Sequence, residues 1–250
     1  MMSGHSKWNN IKKKKEKTDS QKAKVFTKVG REITVAVKEG GPDPDANGKL
    51  RDLIAKAKAS NVPNDNIERI IKKAAGDGDK NNYGDIIYEG YGPCGVAVIV
   101  ETLTDNRNRT AGDLRHYFDK FGGNLGQTGC VSFLFSQKGV IVIDDEDEEL
   151  SEDQLMEDCF ESGAEDFTLE DGVAEIVCAP EDLRTVREYF EKKGYEFSSC
   201  EVAYIPSTET AIDDPDLIVK MSRLLEMLDD HDDVQNVWHN WANEPQDDED

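Results

Sequence analysis

The chain has 250 residues, of which 37% are apolar and 33% charged, with a formal net charge of −23. At about 150 residues per domain this length allows one to two folded cores, and the apolar share excludes wholesale disorder. No stretch approaches the ~18 apolar residues of a membrane span, so an integral membrane protein is not expected.

The five cysteines (Cys94, Cys130, Cys159, Cys178, Cys200) form neither a metal-ligand signature nor a dense disulfide framework. Reduced thiols in a cytoplasm are the simplest reading. The first 17 residues contain no apolar run, so neither a secretory signal nor a transit peptide is expected.

An acidic protein repels phosphates, which argues against nucleic acid as a partner. The charge distribution reverses that inference at one end. Residues 1–80 hold 19 basic and 11 acidic side chains, a local charge of +8, and the other 170 carry −31. Such asymmetry points to a basic module facing nucleic acid, joined to an acidic body.

Residues 1–17 read as a polar arm, with Lys7, Trp8 and the run Lys12, Lys13, Lys14 and Lys15. Asp19 or Ser20 can cap the first helix, along which Phe26, Val29, Ile33 and Val37 make an apolar stripe. Gly40-Gly41-Pro42 stops it. Leu50, Leu53, Ile54 and Ala57 mark a second helix, and Ile67, Ile70 and Ile71 a third, with Asp65 and Glu68 resembling a capping box. Strands are expected over 83–91, 95–103 and 131–135, and a helix over 107–121.

From Gly139 the predicted order is strand (140–143), helix (151–162), strand (165–169), strand (173–178), helix (181–193) and strand (195–203). That βαββαβ order is ferredoxin-like. A helix over 215–229 and a strand near 234–239 complete the chain. With only these two elements left, they are expected to pack back on residues 83–135.

The predicted architecture is therefore α+β: a basic helical bundle (1–80) followed by two α/β-sandwich domains. The middle domain comprises 81–137 and 205–241, the ferredoxin-like domain (138–204) is inserted in it, and 242–250 form an acidic tail.

Several chemical signatures fail. Asp43 to Gly48 matches the start of a calcium-binding EF-hand loop, but Ile54 stands where the bidentate Glu belongs. The glycine-rich stretches lack the phosphate-loop spacing, and the four histidines lack metal-ligand spacing. The six carboxylates from Asp144 to Glu149, and the terminal Asp247 to Asp250, read as solvated runs. No catalytic site, metal or cofactor is expected, and an enzyme is not indicated.

Two segments carry the binding expectation. The first is the arm and first helix, with Lys7, Lys12–Lys15, Lys17, Lys22, Lys24, Lys28 and Arg31 as phosphate contacts and Trp8 able either to stack on a base or to anchor the arm. Arg69, Lys72 and Lys73 on the third helix extend this basic set. The second is the turn Asn106-Arg107-Asn108-Arg109, where either asparagine can cap the next helix and the arginines and amides can grip phosphate.

These motifs coincide with a known family. Gly4-His5-Ser6-Lys7-Trp8-Asn9-Asn10-Ile11-Lys12 and Phe26 to Ala36 resemble the N-terminal helical domain of the YebC/PmpR family. Asn61 to Arg69, Tyr88-Glu89-Gly90-Tyr91-Gly92-Pro93, Leu103 to Thr110 and Gly122 to Gly126 continue the resemblance along essentially the whole chain. Cys94, Cys130 and Gly30 depart from the residues more usual there. The resemblance implies three α+β domains, a cytoplasmic bacterial or organellar setting, and no enzymatic activity. It also implies one of two roles: DNA-binding transcriptional regulation, or action on translation through RNA and the ribosome. The lysine arm with its single aromatic favours RNA or ribosome binding. Sequence-specific DNA binding requires a recognition helix, for which the third helix offers Asn66 and Arg69.

Overall fold

The computed structural model describes residues 19–59, 61–76, 82–144, 150–170 and 172–245. The described residues divide into two compact units, one within 19–131 and 211–239, the other within 132–210 and 240–245.

In the first unit, α1 (Asp19–Gly40), α2 (Gly48–Ala59) and α3 (Asn64–Ala75) form a bundle. The apolar stripe of α1 is its centre: Val29, Ile33, Ala36 and Val37 pack with Leu50, Ala57, Val62, Ile67 and Ala74. Each large aliphatic side chain buried there contributes about 1.5–3 kcal/mol. Gly30 lets α3 approach α1, because a Cβ at that position would lie 3.1 Å from Ile70 Cδ1.

The loop resembling a calcium site is a structural turn. Asn47, at a ligand position of that pattern, is buried. Its Nδ2 donates to the carbonyls of Ala36 (2.7 Å) and Gly41 (2.9 Å), and its Oδ1 accepts from the Leu50 amide (3.1 Å). The capping box expected at Asp65 does not form. Pro63 occupies the cap position of α3 with no side-chain hydrogen bond, which moves Asp65 into the first turn. There its charge still favours the positive end of the helix dipole.

The same unit contains a sheet of β1 (Gly84–Tyr91), β2 (Ala97–Thr104), β3 (Asn124–Leu125) and β8 (Val234–His239), in the order β3-β1-β2-β8. All its pairings are antiparallel. Two helices, α4 (Arg107–Lys120) and α7 (Pro215–Asp229), pack on one another and on this sheet, burying Leu114, Phe118, Met221, Leu224 and Leu228. The tail helix and strand thus return to the first sheet, as β8 pairs with β2.

The strand expected over 131–135 is corrected. Ser132–Leu134 form a 3₁₀ turn, and β4 begins only at Phe135, running to Asp144. The cause is Glu89, a buried carboxylate on β1. It accepts hydrogen bonds from the amides of Gly129 (2.7 Å) and Val131 (2.8 Å). The Val131 amide bonded in this way is not available to a strand ladder.

The second unit contains β4, α5 (Glu152–Ser162), β5 (Asp166–Glu170), β6 (Val173–Cys178), α6 (Leu183–Lys193) and β7 (Ser199–Pro206). Its sheet order, β5-β6-β4-β7, is antiparallel throughout. This is the ferredoxin-like arrangement of a split βαβ pair. Ile141, Ile143, Leu155, Cys159, Ala174, Ile176, Val186 and Phe190 form its core. The fold as a whole is mixed α+β.

Candidate nucleic-acid interface

The turn between β2 and α4 is built by its own polar groups. Asn106 is the cap residue, its Oδ1 accepting from the Arg109 amide at 3.1 Å. The Thr104 hydroxyl accepts from the Asn106 amide at 3.0 Å.

Behind this turn lies Asp233, 2% exposed, in the segment between α7 and β8. Its Oδ2 accepts from Arg109 Nη2 at 2.8 Å and lies 2.7 Å from Thr110 Oγ1 and 3.1 Å from Thr104 Oγ1. Its Oδ1 accepts from Arg31 Nη1 at 2.5 Å. Burial pushes the Asp233 carboxyl up, but the hydrogen bonds from Arg109, Thr110, Arg31 and Thr104 outweigh it and hold the group at about 2.

The basic face of α1 meets the same segment. Lys24 pairs with Asp230 at 2.6 Å. Lys28 Nζ donates to the Asp229 carbonyl (2.7 Å) and carboxylate (3.2 Å). That carbonyl belongs to the C-terminal end of α7, where the helix dipole favours a cation. Arg31 adds a bond to the Asp232 carbonyl at 2.7 Å and lies over the Tyr83 ring at 5.5 Å. Lys24, Lys28 and Arg31 therefore face carboxylates of their own chain.

The other basic residues of the two segments stand differently. Arg109 is engaged by Asp233 and by Asp105 (3.0 Å), whereas Arg107 and Asn108 are exposed. Among the described residues neither of these two side chains has a hydrogen-bond or ion-pair partner. On α3, Arg69, Lys72 and Lys73 are exposed at i, i+3 and i+4, opposite buried Ile67 and Ala74. Arg69 donates to Asn66 Oδ1 at 3.2 Å, and none of the three cations pairs with a carboxylate among the described residues.

Lys7, Trp8, Lys12, Lys13, Lys14, Lys15 and Lys17 lie outside the described residues, as does the side chain of Lys22. So do Asp145–Glu149 and Asp247–Asp250. Among the described residues there is no cluster of His, Cys, Asp and Glu able to hold a metal ion, and no helix long and apolar enough to cross a membrane.

Sequence reasoning missed Asp233 and its neighbours. The signal available was the run Asp229-Asp230-His231-Asp232-Asp233, a natural counterpart for lysines spaced four apart on a helix.

Residues 6–77 match the TACO1/YebC N-terminal domain, and residues 83–241 match the TACO1/YebC second and third domain. The chain belongs to the TACO1/YebC family.

Its TACO1/YebC relatives include a protein of Acetivibrio thermocellus, 62% identical over 97% of this chain and 100% of that one. Another, from Hathewaya histolytica, is 58% identical over 96% of each chain. Both are named probable transcriptional regulatory proteins. The crystal structure of a conserved hypothetical protein from Aquifex aeolicus matches with a TM-score of 0.80 and 45% identity, over 90% of this chain and 92% of that one. The TACO1/YebC assignment agrees with the resemblance read from Gly4 to Lys12 and from Leu103 to Thr110, and with the mixed α+β fold.

Proposed function

We propose that the chain is a non-enzymatic, nucleic-acid-binding regulator of gene expression that acts on translation by associating with RNA on the ribosome. The observation that supports this most directly is the outer face of α3. Arg69, Lys72 and Lys73 present three cations to solvent without carboxylate partners among the described residues. Such a face binds phosphates by releasing their counterions. Arg107 and Asn108, exposed at the start of α4, offer a second cation and an amide beside a helix N-terminus. The lysine arm would add to both, and Trp8 supplies a ring on which an unpaired base can stack. Nothing in this reading requires a metal or a cofactor, and its setting is the cytoplasm.

A second reading is sequence-specific DNA binding. The names of the relatives favour it, and α3 presents Asn66 and Arg69 side by side.

Co-sedimentation with ribosomes through a sucrose gradient at physiological salt tests the two. Migration of the wild type with ribosomes, and retention of the Arg69→Ala/Lys72→Ala/Lys73→Ala variant at the top, is the expected result. Wild type left at the top would turn the conclusion to DNA, to be pursued by genome-wide occupancy.

A further inference from the structure

Helix α5 of the ferredoxin-like unit buries one face and leaves an unusual one outside. Leu155, Asp158 and Cys159 point inward. On the opposite side Phe160 is 88% exposed and Met156, one turn earlier, is 51% exposed. At i and i+4 their side chains are neighbours, about 5–6 Å apart at Cβ.

The surroundings of this pair are acidic. The eleven residues of α5 include five carboxylates and no Lys or Arg. Asp158 is turned inward, bonded to Tyr195 (2.6 Å) and Lys193 (3.0 Å), and Glu161 bonds Tyr189 at 2.6 Å. Asp153 and Glu157 are exposed on the outer face beside Met156 and Phe160, with no partner among the described residues.

Segment 132–210 holds 23 acidic and five basic side chains. Four of those five cations already pair within the unit: Lys138 with Glu165, Arg184 with Glu188, Arg187 with Glu191 and Lys193 with Asp158.

We propose that the outer face of α5 is a docking surface for a basic protein segment bearing an apolar anchor, seated against Met156 and Phe160 with its cations on Asp153 and Glu157. The charge selects this occupant. Nucleic acid and anionic lipid would meet uncompensated carboxylates, and so would the same face of a second copy. A cationic segment relieves that repulsion while covering the aromatic ring. This inference is independent of the nucleic-acid reading, whose described residues lie on α3 and at the start of α4.

The test uses the full chain and a fluorescein-labelled amphipathic helical peptide of Leu and Lys. Matched peptides replace Leu by Ser or Lys by Glu. Phe160 and Met156 are exposed, so Phe160→Ser and Met156→Ser should keep the fold, which an unchanged melting temperature verifies.

Saturable binding of the Leu/Lys peptide at physiological salt, weakened about tenfold or more by Phe160→Ser and by either peptide change, is the expected result. No saturable binding, or equal binding to wild type and Phe160→Ser, would overturn the proposal. Sedimentation equilibrium of the protein alone covers the remaining occupant. A wild-type dimer that Phe160→Ser dissociates would show that a second copy covers the face, and would equally overturn it.

Discussion

Arg31 on α1 and Asp233 before β8 are 202 residues apart in sequence and 2.5 Å apart between Nη1 and Oδ1. Arg109 closes on the other oxygen of the same carboxylate at 2.8 Å. One buried anion therefore ties the helical bundle to the β2–α4 turn. It also explains why two arginines of the basic segments are not free for a ligand.

Asp233→Asn should destabilise the first unit by about 2–3 kcal/mol, read as a lower midpoint in urea at pH 7, because it weakens charge-assisted bonds to two guanidiniums. A change under about 0.5 kcal/mol would show that the junction is not a source of stability.

The same carboxylate sets an acid limit. Its folded value of about 2 lies below the unfolded value of about 3.9, so its contribution is present above pH 4 and lost as pH falls from about 4 to about 2. Wild type should lose roughly 2–3 kcal/mol across that window more than Asp233→Asn does. Parallel stability curves for the two proteins would refute the assignment.

The lysines of α1 and α3 should behave differently towards RNA. Lys72→Ala/Lys73→Ala should flatten the salt dependence of binding to a single strand by about 0.7 for each phosphate no longer neutralised. Lys24→Ala/Lys28→Ala should change the slope less, because Asp230 and Asp229 already neutralise those groups. Equal effects of the two pairs would mean that the acidic segment yields to phosphate.

Cys94 adopts φ 56° and ψ 16° in the turn before β2, the left-handed region that favours glycine. Replacing Cys94 by Gly should raise stability by up to about 1 kcal/mol, since the side chain that opposes this conformation is removed. A lower melting temperature would show that the thiol makes a compensating interaction.

Thiol reactivity should follow burial. Burial pushes the Cys159 thiol up to about 12 and the Cys178 thiol up to about 11, whereas Cys94 is exposed. An aromatic disulfide reagent at about pH 8 should label Cys94 first and reach Cys159 and Cys178 only on unfolding. Early labelling of Cys159 would contradict the packing beneath α5.

Much of the fold was legible from local pattern. The stripe of Val29, Ile33 and Val37 announced α1, and Gly40-Gly41-Pro42 its end. The alternation of elements after Gly139 announced the ferredoxin-like order. Local reading failed where a distant group overruled it: Val131 to Leu134 reads as a strand by composition, but Glu89, more than forty residues earlier, captures the amide of Val131. The capping box at Asp65 failed because Pro63 holds the cap position instead.

By itself the sequence determined the helices, most strands, the basic-to-acidic split and the family, because periodicity, turn residues and long motifs are encoded among near neighbours. Only the tertiary structure decided which cations remain available. Lysines of α1 and α3 look alike in sequence, and their difference depends on where Asp229, Asp230 and Asp233 come to rest. An ion pair between residues some two hundred positions apart leaves no periodic trace, because it forms only after the sheet and helices have brought those distant segments together.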